Sequence, residues 1–495
     1  MRKTDAEAYL TVYAALTLTV LLSLFLVLLE GIRFNTIQTE AEIITDIAAD
    51  SVLAEYHREL LNQYGMFWVD TSYGTARPSL ETVEEHMQGY LEKNCDTDVF
   101  LEDWLYRDLL ALSVEDVTIK KAAVATDEGG RLFRRRAVEV VKDNIGLSFL
   151  EQVVQWLQTI EDHGLQERNL EQEIQDIGDQ IEALDGGKKQ VGKEWVTVEI
   201  ENPLKALEEQ QRKGILKQVL KDADAVSTLS IDTGTLISSR WKRGEINSGN
   251  CTLEEESLAE SLTERLLWQE YLLSYCGHYG AEADEDLLQY QVEYLIIGKE
   301  NDTENLKGIA YRICGIRWAA AVLHLFGDEE KCAAAEAVAA AATTLLGIPE
   351  AADLVKLAIL LGWAYAEGLY DARCIFAGQR VPLLKTEESW HYGVNGLLDS
   401  ILEGFLDEDT GEADKEAADK EEAGLSYEDY LRIFLALSSL EEQTFRMMDL
   451  VEMDIRQTAG NENFRIDGCI DRLEASVTIE SAYGYTVTVQ KEAGY

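Results

Sequence analysis

The sequence predicts an α+β protein, predominantly helical. An N-terminal transmembrane helix continues into a long amphipathic helix, a small antiparallel sheet is closed by a C-terminal hairpin, and a large helical body lies between. Three observations carry this reading. Only 4 prolines occur in 495 residues, far below the ~5% of average usage, so long stretches contain nothing to break a helix. Tyr9 to Leu29 is an apolar run without a charge, long enough at ~1.5 Å per residue to cross the ~30 Å hydrocarbon layer. At the other end Ala475, Val477 and Ile479 alternate with Ser476, Thr478 and Glu480, and Tyr485, Val487 and Val489 alternate with Thr486 and Thr488 beyond a bend near Gly484. That period of two is the signature of half-buried strands.

The apolar run reads as a retained anchor, with Tyr9, Leu16, Leu22 and Leu29 among the residues that meet lipid. A cleavable signal would have an apolar core of roughly 7–15 residues and a small-x-small site, whereas this run ends in Leu28, Leu29 and Glu30. Arg2 and Lys3 precede it and only Arg33 follows closely, so the positive-inside rule puts the N-terminus in the cytoplasm and the bulk of the chain outside the cell membrane. Leu354–Leu369 is also apolar, but Lys356 and Glu367 interrupt it, and it is expected to be a buried core helix. The chain is therefore expected to cross the membrane once.

Beyond the span, Ile37, Ala41, Ile44, Ala48 and Val52 recur every three or four residues, one apolar stripe of a helix that should run from Tyr9 to Tyr64 with Gly31 as its only weak point. Met66–Val69, Val117–Ile119 and Val196–Ile200 read as strands that join the C-terminal hairpin in one sheet. Leu170, Ile174, Ile177, Ile181 and Leu184 form a two-heptad seam, suited to a coiled coil or to the protein's own body. Gly186 to Lys189 should end it as a flexible turn. From about Leu253 to Asp454 the pattern is helical, with small side chains at Ala333–Ala342 for close packing. Ser426 should cap a helix with Asp429 three residues on. Residues 407–424 are acidic and poor in apolar side chains, and are expected to be solvated and disordered. Four segments follow: 1–33, cytoplasmic tip and anchor; 34–202, stem helix, strands and helical hairpin; 203–460, helical domain; 461–495, hairpin packing on the N-terminal strands.

The 44 basic residues against 92 acidic ones give a net charge of −48, which repels phosphate backbones and argues against nucleic-acid partners. The 7 cysteines are odd in number and scattered, unlike a disulfide scaffold or a zinc knuckle. Asp232-Thr233-Gly234 matches the order of an aspartic protease, but such an enzyme needs a second carboxylate, and a surface turn is the expected role. Ser239 to Lys242 matches Ser-x-x-Lys, while the partner Lys-Thr-Gly fails because Glu387 follows Lys385 and Thr386. The acidic Asp407, Asp409 and Gly411 have the wrong spacing for a calcium loop, and no two histidines have zinc-protease spacing. Cys276 and His278 read as packing residues. No enzyme activity, metal or cofactor is expected. The candidate interaction residues are Glu30 and Arg33 at the membrane boundary and Arg131, Arg134 and Arg135, which with Arg136 form the dense basic cluster. Pairing within the chain is the first role expected of that cluster, and docking onto an acidic partner the second.

Several segments resemble a family of uncharacterised single-span proteins of Gram-positive, largely anaerobic bacteria. They are Leu29–Arg33, Leu53–Leu61, Tyr64–Phe67, Gln291–Lys299, Trp363–Glu367, Val381–Glu387 and Leu425–Leu431. Members are associated with tight-adherence (Tad) pilus systems, relatives of type IV pili, and are similar to pseudopilin-like minor components. Processed pilins carry a glutamate five residues into the mature chain, whereas cutting after Ala6 would put Thr11 there. What the resemblance implies is a noncatalytic, membrane-anchored component of a pilus assembly or secretion machine, with pilus-machine proteins as partners. A membrane-tethered surface-binding or adhesin module independent of any pilus is the alternative expectation.

Overall fold

The computed structural model describes residues 2–95, 110–142, 147–165, 170–183, 188–191, 194–197, 214–250, 258–281, 287–345, 348–393 and 424–495. In chain order its principal elements begin with α1 (Arg2–Leu53), α2 (Arg58–Tyr64), β1 (Val69–Asp70), α3 (Leu80–Cys95), β2 (Leu112–Val124) and α4 (Asp127–Val141). Then come β3 (Lys188–Val191), β4 (Glu194–Thr197), α5 (Asp302–Gly327), α6 (Glu329–Leu345) and α7 (Ala352–Phe376). The chain closes with α8 (Tyr427–Leu437), α9 (Leu440–Gln457), β5 (Cys469–Ser481) and β6 (Thr486–Gly494). The expected α+β class is what the chain adopts. Two compact units divide it: one of residues 1–140, 235–256 and 448–495, the other of 141–234 and 257–447. The four consecutive segments read from the sequence cut the chain at other places.

In the first unit β5 is the central strand. It pairs antiparallel with β2 along one edge and with β6, then β1, along the other. Leu473, Ala475, Val477 and Ile479 alternate along β5 and are all fully buried. They face a cluster made by Ala41, Ile44, Ala48, Ala49 and Val52 of α1 and Val83, Met87 and Leu91 of α3. One face of the sheet is thus covered by two helices, and the stripe on α1 is the part of the stem that lies on it. Before that stripe α1 is bare: Tyr9, Leu16, Leu22 and Leu29 are 77%, 62%, 57% and 44% exposed.

The long opening helix stops earlier than its apolar pattern predicts. It ends at Leu53, and α2 begins only at Arg58. His57 sits between them in extended conformation, its side chain accepting from the Leu60 amide, a capping interaction that competes with continued helix. Glu55, in the break, accepts hydrogen bonds from Tyr73 Oη (2.8 Å) and Tyr90 Oη (2.7 Å) and pairs with His86 (3.1 Å), tying the end of the stem to α3. The first strand is also displaced: Val69 and Asp70 pair with β5, rather than the expected Met66–Val69. The third strand expectation falls elsewhere again. Val196 lies on β4, which pairs with β3 in a separate two-stranded sheet, so Lys188 and Lys189 are strand residues and not a turn. Val198, Ile200, Leu184 and residues 407–423 lie outside the described residues.

The second unit is mostly helical and also holds the β3–β4 pair. The α5 and α7 helices pack along their lengths and α6 packs on α7 through Ala335 and Ala339, which are buried. The Leu354–Leu369 stretch is within α7 and buried as expected. Ile177 and Ile181 are buried in a helix, Leu170–Glu182, that packs on α7, so this part of the seam serves the protein's own body. Ser426 caps α8 with Asp429 returning the bond. Gly368 of α7 faces backbone: a Cβ there would lie 2.8 Å from the Trp318 nitrogen and 2.9 Å from its Cα. Alanine would gain up to about 1 kcal/mol of helix propensity but force two backbones apart, and overpacking costs about 1–3 kcal/mol. Because backbone atoms cannot rotate away, the clash should win, and Gly368→Ala should lower the melting temperature of the full chain in a thermal scan.

Among the described residues, two helices are long and apolar enough to cross a membrane. One window lies in Tyr9–Leu53, with mean hydropathy 2.5 and nothing buried; the other is α5, with mean hydropathy 1.3 and 61% buried. The second is a core helix that also carries the buried Asp302, Asn305 and Arg317.

Candidate functional site

The described residues contain no constellation that joins a nucleophile to a base at either catalytic motif. Asp232 is exposed and accepts from the Gly234 amide (2.9 Å), while Thr233 bonds Glu300 (2.6 Å), which is an ordinary turn. Ser239 and Lys242 lie on the helix Ile237–Arg243, where Lys242 is exposed and Arg240, one of the two residues between them, is drawn inward. Arg240 donates to Glu452 (2.5 and 3.1 Å) and Asp467 (3.0 Å), both fully buried, and the ion pairs hold the Asp467 carboxyl below its usual range against the opposing effect of burial. Cys276 packs against Met447 Sδ (3.4 Å), and His278 Nδ1 shares a hydrogen bond with the Tyr279 carbonyl (2.9 Å). The six cysteines among the described residues are thiols. Burial pushes Cys314 up to about 12 and Cys374 up to about 11, far from a reactive thiolate.

Among the described residues, one group has the donor types of a metal site. His324, Asp328 and Glu387 bring ligand atoms within 4.8 Å of one another. The Lys331 ammonium already lies among them, 2.5 Å from Asp328 and bonded to Glu387, and its bonds hold the Asp328 carboxyl below the usual range. A resident cation of the chain thus occupies the place a metal would take.

The basic cluster is largely consumed inside the fold. Arg131 pairs with Glu128 (3.1 Å), Arg134 is buried with its guanidinium on the Gly129 carbonyl (3.1 Å), and Arg136 binds Asp471 (2.7 Å), Glu139 (2.8 Å) and the Tyr495 carbonyl (2.7 Å). Arg135 alone of the four is exposed.

Glu30 and Arg33, one helical turn apart at the end of the apolar run, meet the C-terminal hairpin. Arg33 Nη1 is 2.9 Å from Glu30 Oε2, and Tyr485 Oη donates to Glu30 Oε1 at 2.6 Å. The Arg33 guanidinium lies 4.2 Å from the centre of the Tyr483 ring, and Phe34 meets Tyr485 edge-on at 5.5 Å. The bond to Glu30 raises the Tyr485 phenol above its ordinary value. Sequence reading singled out Glu30 and Arg33 but missed their partners, which follow by some 450 residues. The uncharged Tyr-Gly-Tyr turn is the signal that could have found them.

Gln291–Lys299, Trp363–Glu367, Val381–Glu387 and Leu425–Leu431 contribute to two buried polar clusters. In one, Lys385 Nζ binds Glu367 (2.6 Å) and Asp371 (2.8 Å), and Arg317 binds Asp371 (2.6 Å), with all four side chains essentially inaccessible. In the other, Glu293 is fully buried and accepts from Tyr427 Oη (2.6 Å) and the Tyr279 amide (2.9 Å), while its Oε2 has no partner among the described residues. Burial raises the Glu293 carboxyl above its ordinary 4.5. The folded state therefore holds this proton at pH values where the unfolded chain has lost it, and stability falls as pH rises from about 4.5 through the raised value. Glu293→Gln cannot titrate. Denaturation midpoints measured from pH 4 to 8 should shift in the variant's favour, relative to the parent, as pH rises.

Residues 193–481 match a family of unknown function (DUF5702). The chain belongs to that family. Both buried clusters lie inside the matched region, whereas α1 precedes it. No curated protein and no solved structure matches the chain.

Proposed function

We propose that this chain is a noncatalytic, membrane-anchored component of a tight-adherence pilus assembly or secretion machine, acting through protein contacts from outside the cell membrane. The observation that carries this reading is α1. A 52-residue helix begins as a bare apolar rod and ends as the buried support of a sheet, with no break between. Such an element holds a folded unit at a fixed distance from a bilayer, which serves assembly better than turnover. The flanking Arg2, Lys3 and Arg33 favour a cytoplasmic N-terminus. The resemblance of Leu29–Arg33, Leu53–Leu61 and Tyr64–Phe67 to uncharacterised single-span proteins associated with tight-adherence pili supports the choice of machine.

The test is chemical crosslinking in native membranes, followed by purification of the chain and mass spectrometry of its partners. Recovery of a pilus platform protein, its ATPase or a major pilin is the expected result. Reproducible recovery of wall or surface components alone would replace this reading with that of an independent surface module.

A further inference from the structure

We propose that the turn of the C-terminal hairpin, Ala482–Tyr485, is a second membrane contact, seated in the headgroup layer beside the end of α1. The inference rests on the reading that α1 spans the bilayer. If the hydrocarbon edge falls near Leu29, Arg33 and Phe34 stand about 6–8 Å beyond it at ~1.5 Å per residue, which is within the headgroup zone. These are the residues that the hairpin turn touches: Tyr483 through the Arg33 guanidinium, Tyr485 through Phe34 and Glu30. The turn therefore lies at the same depth as the boundary residues.

Its chemistry fits that depth. Residues 481–490 carry no charge in a chain with 92 acidic side chains, so the turn itself brings no negative charge to repel anionic headgroups. Tyr483 is 46% exposed, Ala482 is exposed, and Ile32 is 62% exposed one turn from Leu29. Tyrosine is enriched at the membrane interface because its ring prefers the apolar side and its hydroxyl the wet side. The two charges at the boundary, Glu30 and Arg33, neutralise each other at 2.9 Å, and Tyr485 satisfies the second carboxylate oxygen. No unpaired charge from this cluster is then carried into the headgroup layer.

The test uses the full chain in phosphatidylcholine vesicles with the photo-crosslinking residue benzoylphenylalanine at four positions, one per variant. Ala482→benzoylphenylalanine leaves both tyrosines in place, and the same replacement at Tyr483 probes the ring position directly. Leu22 reports the span. Phe67, partly exposed and in ring contact with Tyr495 at the far end of β6, is the distant reference, about 30 Å from the turn at ~3.3 Å per strand residue. Lipid adducts at 22, 482 and 483 with none at 67 are expected. Adducts at 22 alone would overturn the second contact while leaving the anchor standing. Absence of adducts at 22 would remove the spanning reading and this proposal with it. Equal adducts at 67 and 482 would also overturn it, because the labelling would then not follow depth.

Discussion

Aspartate at Ala48 should cost about 3–5 kcal/mol and in practice prevent the first unit from folding, whereas aspartate at the adjacent Ile47 should cost little, because an unpaired buried charge is penalised and a solvated one is not. The two positions differ by one residue and about 100° around α1. Ala48 is completely inaccessible and lies in a cluster with Ile44, Val52 and the inward residues of β5, all apolar. Ile47 is 44% exposed. Both variants place the same side chain in the same helix, and the starting residues differ in helix propensity by less than about 0.7 kcal/mol, so burial dominates the comparison. Urea denaturation of the detergent-solubilised chain, followed by hydrogen exchange of residues 37–53, distinguishes them. Similar destabilisation by both would show that the stem is not seated on the sheet by the Ile37–Val52 stripe.

Lys385→Met should destabilise the helical unit by about 3–5 kcal/mol, the usual cost of removing one partner from a buried ion pair. The cluster is balanced: Arg317 and Lys385 against Glu367 and Asp371. Methionine fills nearly the same volume but leaves one negative charge uncompensated in a site that water does not reach. Other donors soften the loss. Glu367 still accepts from the His391 amide (2.9 Å) and the Tyr392 amide (3.1 Å), and Asp371 keeps Arg317. Adding Glu367→Gln to the first change restores neutrality, so the double variant should be more stable than the sum of the singles by about 1–3 kcal/mol, as expected for residues in one network. Denaturation followed by tryptophan fluorescence measures all three. Strict additivity would mean that the two charges do not see each other.

What was legible in the sequence was local and periodic. The Ile37–Val52 stripe, the alternation on β5 and β6, the cap at Ser426 and the apolar α7 each announce themselves within a few turns or strand steps, because one buried face imposes one period. What was not legible depends on partners distant in sequence. The opening helix stops at Leu53 although its apolar pattern would have continued it, and His57 in the break meets Asn461 at 3.1 Å. Val69 becomes a strand because Ile470 offers it an edge, and Lys188 and Lys189, turn-like beside two glycines, find partners in Thr197 and Val196. Lys385 reads in sequence as the start of an incomplete catalytic motif. Its role is set by two carboxylates on α7 and by an arginine on α5, none of them within a local window. For the same reason Glu30 could be marked as a boundary residue, but not as the acceptor of Tyr485.

If α1 spans the bilayer as proposed, the absence of any break between Tyr9 and Leu53 makes the stem a rigid arm. A span whose hydrophobic length differs from the local bilayer thickness adjusts by tilting, and a continuous helix cannot absorb that rotation at a hinge. Twenty residues separate Arg33 from Leu53, about 30 Å of helix, so a change of ~10° in tilt swings the far end of the stem by about 5 Å. The sheet rides on that arm. With α1 in a bilayer, as proposed, membrane thickness would be converted into displacement of the folded unit, and a partner gripping the sheet would register it.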